Sequence, residues 1–272
     1  MKRVLAGITA VGLSGALLSG CGLATQEFRD EDTGIGTGIR TVLLSQGSGS
    51  ISIRTGASPY VRRTVHHRGD RPGATHRVEG DALILQGCER DNCWIDYEVV
   101  VPEGFALTGE VASGDVAAAG AGSVDLRSSS GDVTVRGVSG AASVEATSGR
   151  VELTDVGENA SVEVQSGDVG VTGVRGDATV RSASGAVTVT GAAGKVDVEA
   201  TSGDVAIGAA TVVDVKAHTS SGTLDVAVPR ARYRVTVTAD SGEIANGVQH
   251  DPTGQATLTL SATSGDVTVR YA

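Results

Sequence analysis

A short signature, Ser-Gly, any residue, then Val, Leu or Ile, recurs nine times: at Ser113, Ser130, Ser148, Ser166, Ser184, Ser202, Ser221, Ser241 and Ser264. The intervals are 17, 18, 18, 18, 18, 19, 20 and 23 residues. A near-fixed period of this size marks a repeat architecture. One unit cannot bury its apolar side alone, but stacked copies bury a continuous core. Ser48-Gly49-Ser50-Ile51 is an outlying tenth copy, ahead of an irregular insertion.

Within the unit that starts at Ser148, Val151 and Leu153 alternate with Glu152 and Thr154, the period of a half-buried strand. Val156 to Asn159 break the run. Ala160, Val162 and Val164 then alternate with Ser161, Glu163 and Gln165, a second strand, and Ser166-Gly167 turns into the next unit. Each unit is thus two short strands with two turns. Between Ser113 and Arg232 there is no Phe, Trp or Tyr, which suits a slim interior. These features predict an all-β chain, a single-stack β-solenoid of about 18-residue coils. A left-handed hexapeptide helix would show one aliphatic residue every six positions, whereas the apolar residues here fall as pairs. Calcium-binding nonapeptide repeats lack their pattern here.

Ser-Gly-Asp could be read as a nucleophile on a turn or a metal loop. No catalytic motif needs nine copies. A nucleophile needs a base in reach, and the only histidines after Ser113 are His218, expected on an outward, solvated strand position, and His250, expected as decoration on a long corner loop. Glycine supplies positive φ and serine bonds nearby backbone, so a corner accounts for the motif. Across coils the residue after Gly forms a column: Asp115, Asp132, Arg150, Asp168, Ala186, Asp204, Thr223, Glu243 and Asp266. Beyond its first pair, acids mostly alternate with Arg, Ala or Thr, which reads as charge relief; a calcium ladder would place an acid at every step. No catalytic residue, metal site or cofactor is expected.

The N-terminal third is looser. "TVLLS", "SISIRT", "ALILQG" and "WIDYEVVVP" read as strands. Arg54, Arg62, Arg63, Arg68, Arg71 and Arg77, with His66, His67 and His76, outnumber Asp70 and Glu79. This stretch is either a solvated loop or a patch for an anionic wall polymer or lipid headgroup. Trp94, Tyr97 and Phe105 are expected to cap the open end of the stack. Cys88 and Cys93 lie close in sequence, and in an exported chain a disulfide between them is expected.

The chain opens with Met1-Lys2-Arg3 and an uncharged run from Val4 to Leu18, a secretory signal shorter than the roughly 20 residues of a membrane span. Leu18-Ser19-Gly20-Cys21 resembles the lipobox of bacterial lipoproteins, which implies lipid (palmitate) on Cys21 and a place on the outer face of the cell membrane. The expected domains are 1–20 signal peptide, 21–39 flexible tether, 40–110 N-terminal β region with the insertion and disulfide loop, and 111–272 repeat solenoid. A net charge of −10 argues against nucleic acid as a partner.

Ser48-Gly49-Ser50-Ile51, "ALIL", Val99–Leu107 "VVVPEGFAL" and the Ser-Gly-Asp-Val copies together resemble the bacterial domain-of-unknown-function family described as "putative adhesin". The resemblance spans about Thr41 to Tyr271. It implies a β-solenoid on exported or membrane-attached proteins and brings no catalytic residues. The arginine-rich insertion and the Cys88–Cys93 loop depart from it. The leading expectation is a lipid-anchored, non-enzymatic interaction, adhesin-like or structural module, with an unknown envelope protein or polymer as partner. An envelope-stress sensor binding an anionic ligand is the alternative, and a carbohydrate-active enzyme a remote third. The chain stops part-way through a coil, so end-to-end self-association through an open edge is a side expectation.

Overall fold

The structure, a computed structural model, describes residues 25–89 and 92–272. The signal segment and Cys21 lie outside the described residues. The chain begins with β1 (Gln26–Asp32), β2 (Thr41–Ser48), β3 (Ile51–Thr55), β4 (Tyr60–His67), β5 (His76–Glu79), β6 (Ala82–Gln86) and β7 (Cys93–Val101). The repeats follow as β8 (Ala106–Ser113), β9 (Val116–Ala119), β10 (Ser123–Ser130), β11 (Val133–Val138), β12 (Ala142–Ser148), β13 (Val151–Val156), β14 (Ala160–Ser166), β15 (Val169–Val174) and β16 (Ala178–Ser184). They continue as β17 (Val187–Ala192), β18 (Val196–Ser202), β19 (Val205–Ala209), β20 (Val215–Ser221) and β21 (Leu224–Val228). The last are β22 (Tyr233–Ser241), β23 (Ile244–Asn246), β24 (Ala256–Ser264) and β25 (Val267–Tyr271). No helix occurs among the described residues.

Consecutive strands of the repeats alternate between two long sheets. One has the order β1-β4-β7-β3-β9-β11-β13-β15-β17-β19-β21-β25-β23, the other β22-β24-β20-β18-β16-β14-β12-β10-β8-β2-β6-β5. From β8 to β21 the neighbours pair in parallel. The arrangement is all-β and solenoid-like, with one unit of the sequence repeat separating partners: Val151 faces Val133 and Val169, and Val162 faces Val144 and Val180. The alternation explains the core. Val133, Val151, Val169, Val187 and Val205 form one fully buried column, and Val144, Val162, Val180 and Val198 another. Removing each such side chain from water is worth about 1.5–3 kcal/mol.

Two properties of the corner make its glycines obligatory. Gly131, Gly149, Gly167, Gly185 and Gly203 have φ between +107° and +144°, which L side chains rarely adopt. A Cβ at Gly167 would also clash with the carbonyl of Gly149, one layer below, and the same holds up the column.

Neither end follows chain order. β2 and β3 sit between the β6–β7 layer and the β8–β9 layer, and β24 and β25 sit between β20–β21 and β22–β23. The end layer is therefore β22–β23, and the final strand with Tyr271 belongs to the layer beneath it. The lengthened spacings near the C-terminus, 20 and 23 residues, provide the chain for this crossover.

The stretch expected as a flexible tether, 21–39, carries β1, and Ile35 and Ile39 are buried. β1 runs antiparallel on β4, with Asp30 opposite Arg63 and Glu31 opposite Arg62. Its acids find the arginines of the insertion, a long-range match that a local reading of an acidic, Gly-rich segment misses. Segments expected as strands in the N-terminal third form β2, β3, β6 and β7. Tyr97 and Phe105 are buried within the core and do not lie over an end; Trp94 is 37% exposed and stacks on His66 with ring centroids 4.9 Å apart.

Candidate functional site

The corner column resolves into a hydrogen-bond ladder. The Asp115 carboxylate accepts the Asp132 backbone N–H at 2.9 Å, and Asp132 accepts that of Arg150 at 2.9 Å. Asp168 accepts from Ala186 at 3.1 Å, Asp204 from Thr223 at 2.9 Å and Asp266 from Glu243 at 2.8 Å. The charge relief expected from Arg150 is present in part, as a 3.6 Å contact to Asp168. The main work of each aspartate is to hold the layer above it. Two hydrogen bonds from Thr223, backbone first and hydroxyl second, lower the Asp204 pKa. Across the coil, Asn159 and Asp177 repeat the device, accepting the N–H of Asp177 and Lys195 at 2.9 and 2.8 Å.

A shallow trough of about 530 Å³ lies on the outer face of the sheet that holds β2, β8, β10, β12 and β14, continued by a second of about 330 Å³ that reaches β20. Both include Glu163 and Gln165, so they form one run along the coils. Its charged wall is a single register row: Glu110, Arg127, Glu145, Glu163, Arg181, Glu199 and His218. Beside it lies a row of small or polar residues, Ala112, Ser129, Thr147, Gln165, Ala183, Thr201 and Ser220. Arg127 pairs with Glu145 at 3.0 Å, Arg181 approaches Glu199 at 3.7 Å, and Lys216 reaches Glu199 at 3.1 Å. The Lys216 hydrogen bond lowers the Glu199 pKa. Strand alternation places these side chains outward, at about 4.8 Å per layer.

His218 departs from the expected solvated position: Nδ1 lies 2.9 Å from the Ser261 hydroxyl, and the residue is half-buried. Glu199, aligned with it, gives its carboxylate to Lys216. A serine–histidine pair on a flat sheet face, without a carboxylate to orient the ring, is not a nucleophile assembly. His250 does more than decorate a loop, since its Nδ1 accepts the Val235 backbone N–H at 3.1 Å.

Five of the six arginines of the insertion are brought together with acids. Arg62 bridges Glu31 and Glu98, each at 2.6 Å, and these bonds raise its pKa. Arg63 is buried and grips both Asp30 oxygens at 2.6 and 2.7 Å, and its other arm reaches Gly73 O and Thr75. The Arg63 bond lowers the Asp30 pKa despite some desolvation. Arg71 stands 3.7 Å from Asp30 and over the Phe28 ring. Arg54 lies 3.6 Å from Glu98, Arg77 bonds Glu79 at 2.6 Å, and Arg68 bonds Thr25 at 3.3 Å. Tyr60 is hydrogen-bonded to Glu98, the leading cause of that carboxylate's lowered pKa. The basic excess read from the sequence is thereby largely neutralised within the fold. Beneath it Tyr97 donates towards Thr75 and Gln86, and burial pushes its phenol up to about 12.

Cys88 and Cys93 form a disulfide with Cα atoms 5.8 Å apart, beside the turn from β6 to β7. Among the described residues no group of three or more His, Cys, Asp or Glu is placed to hold a metal ion, and no helix is long and apolar enough to cross a membrane.

The family described as Toastrack DUF4097 matches the sequence twice, over residues 37–178 and 96–270. Among solved structures, a putative cell adhesion protein from Clostridium sporogenes ATCC 15579 is 8% identical, with 91% of this chain and 100% of that one covered and a TM-score of 0.26. A putative adhesin from Bacteroides fragilis NCTC 9343 is 14% identical, with 91% and 97% covered and a TM-score of 0.31. At such scores the likeness carries no argument. No curated protein matches.

Proposed function

The chain belongs to the Toastrack DUF4097 family, and on that premise we propose that it is a lipid-anchored, non-catalytic surface module of the bacterial envelope. It acts as an adhesin-like or structural element, with the two sheets as the faces of a single-stack solenoid. The observation that carries the reading is the trough. A polar row aligned at every layer from Glu110 to His218 is held by a rigid ladder of backbone bonds, with no aromatic platform between Ser113 and Arg232. Such a face suits display and contact along an extended polymer or protein partner. It offers no activated nucleophile and no aromatic stacking surface for chemistry on a sugar, and its neighbouring acids Glu145 and Glu163 are flanked in the same row by Arg127 and Arg181. The neutralised arginines give no support to an anionic ligand there.

Anchoring follows from Cys21, with palmitate as the acyl chain and the outer face of the membrane as the location. The test has two arms. Replacing Cys21 by Ser should move the protein from the membrane fraction to the soluble exported fraction. Binding of the chain to isolated cell envelopes should be lost when Glu145, Glu163 and Glu199 become Lys, and kept when the insertion arginines become Ser. Envelope binding indifferent to the trough charges would remove the reading.

A further inference from the structure

The two ends of the stack are built differently. At the N-terminal end antiparallel strands cover the sheets: β4 and β1 on one, β5 on the other, with charged side chains along them. At the other end, β22 and β23 close the stack with their partners on one side only. Val235, Val237 and Ala239 of β22 face the interior yet are only half-buried, and Ile244 of β23 is 43% exposed.

The direction of the free backbone groups follows from the hydrogen bonds. Arg232 O accepts from Gln255, towards β24, whereas Tyr233 O accepts from Asp251 and Val235 N–H bonds His250, on the outer side. N–H and C=O of one strand residue point the same way and alternate along the strand. Val237 and Ala239 therefore present theirs outward, and among the described residues no partner strand lies there. A long edge of this kind is a template for another strand.

We propose that the occupant is a second copy of the same edge, β22 pairing antiparallel with β22 about a two-fold axis through Val237. The sequence of the strand is complementary to itself in that register. Val237 meets Val237, Val235 meets Ala239 and Thr236 meets Thr238, while Arg234 stands opposite Asp240 twice, on the outer face. Both charged side chains are exposed, and Arg234 must exchange its own bonds to Gly254 O and the Thr257 hydroxyl for the pair. The sum of partner numbers is constant; a shift of one rung one way sets Asp240 against Thr236 and loses both ion pairs, and the other way sets it against Arg232, which already stands 3.9 Å from Asp251 within its own chain. A nine-residue strand is about 30 Å long and two stacked sheets about 20 Å across with side chains, so the end layer buries about 600 Å² per copy. The total, about 1,200 Å², lies at the lower limit for a specific interface, which points to a weak, concentration-dependent dimer. His250 shields Val235, and the main chain of His250 and Asp251 is bridged to Tyr233, so this short segment must swing aside for the outer rungs to form; it acts as a guard on the edge. The dimer joins the two molecules at their β22–β23 ends and leaves both β1 strands at the far ends.

Sedimentation velocity of the full chain over a wide concentration range tests this. A monomer–dimer equilibrium is expected. Asp240→Arg, at an exposed position, should weaken it by roughly tenfold, because it turns two attractive pairs into two repulsive ones. Arg234→Asp combined with Asp240→Arg should restore it, and His250→Ala should tighten it. As an independent readout, Thr236→Cys with Thr238→Cys should give an oxidised covalent dimer, and either substitution alone far less. A monomer at every concentration, or a dimer unaffected by Asp240→Arg or weakened by His250→Ala, would overturn the proposal.

Discussion

Replacing Gly167 by Ala isolates the role of the corner, because two other glycines nearby serve as controls. Gly167 has φ +144°, and a Cβ there would run into the carbonyl of Gly149. Forcing an L residue into that region costs on the order of 1–3 kcal/mol. Backbone cannot move aside as a side chain can, so the clash adds about 1–3 kcal/mol of overpacking. The sum is about 4 kcal/mol. At roughly 2–4 °C per kcal/mol for a domain of this size, the melting temperature should fall by about 10 °C. Gly170, in β15 just after that corner, has ordinary φ, and its Cβ would lie 3.8 Å from the Glu152 Cγ. Its change to Ala should stay within about 0.5 kcal/mol. Gly137 is intermediate: its φ is +65°, and the nearest atom to a Cβ is Gly120 N at 4.0 Å. The protein itself places Asp155 at φ 57° in that same column. Gly137→Asn should therefore cost less than about 1 kcal/mol, while Gly167→Asn should be as damaging as Gly167→Ala. Urea unfolding of the four variants measures the order. Gly167→Ala as mild as Gly170→Ala would refute the close-approach argument.

Other consequences are open to measurement. Asp168→Ala removes one exposed ladder bond and should lower stability by about 0.5–1 kcal/mol, whereas Asp168→Asn keeps an acceptor and should lie closer to the parent in the same urea titration. Hydrogen bonds hold the carboxyls of Asp30, Asp32 and Glu98 below their usual range, Arg63, Gly34 and Tyr60 respectively being the first partners. Their stabilisation is thus fully present above the unfolded carboxylate pKa of about 4 and lost as pH falls through the lower folded values; hydrogen exchange should show β1 opening before the repeats below about pH 4 and protected at pH 7. Reducing the Cys88–Cys93 bond opens a loop of a few residues and should cost roughly 2 kcal/mol, read as faster proteolysis at the β6–β7 turn with the repeat strands unchanged.

The parts of the fold legible in the sequence are those whose partners sit one repeat away with the same alternation. Val151 and Leu153 announce a strand, and the interval of 18 places them over Val133 and Val135. The parts that were not legible depend on partners set by tertiary packing. β1 has acids where a strand usually shows apolar alternation, and its partner Arg63 is 33 residues distant. The inverted end layers leave only longer spacings as a trace. The aspartate column was visible as a column, yet its bonds run to backbone N–H groups of the next layer, which a side-chain pattern does not display. The trough was readable in principle, since Glu145, Glu163, Arg181 and Glu199 recur at the same place in each unit.

The central claim is that successive units stack in register as layers about 4.8 Å apart, with the order inverted at the C-terminal end. Spin labels on Ala117 paired with Asp225, Thr268 or Ala245 test it, in a chain whose Cys21 is replaced by Ser. These positions lie six, seven and eight layers apart in one aligned row. Electron–electron dipolar spectroscopy should give distances near ~29, ~34 and ~38 Å, rising by one layer each time. Ala245 lying nearer to Ala117 than Thr268 does, as chain order alone would place it, would contradict the account.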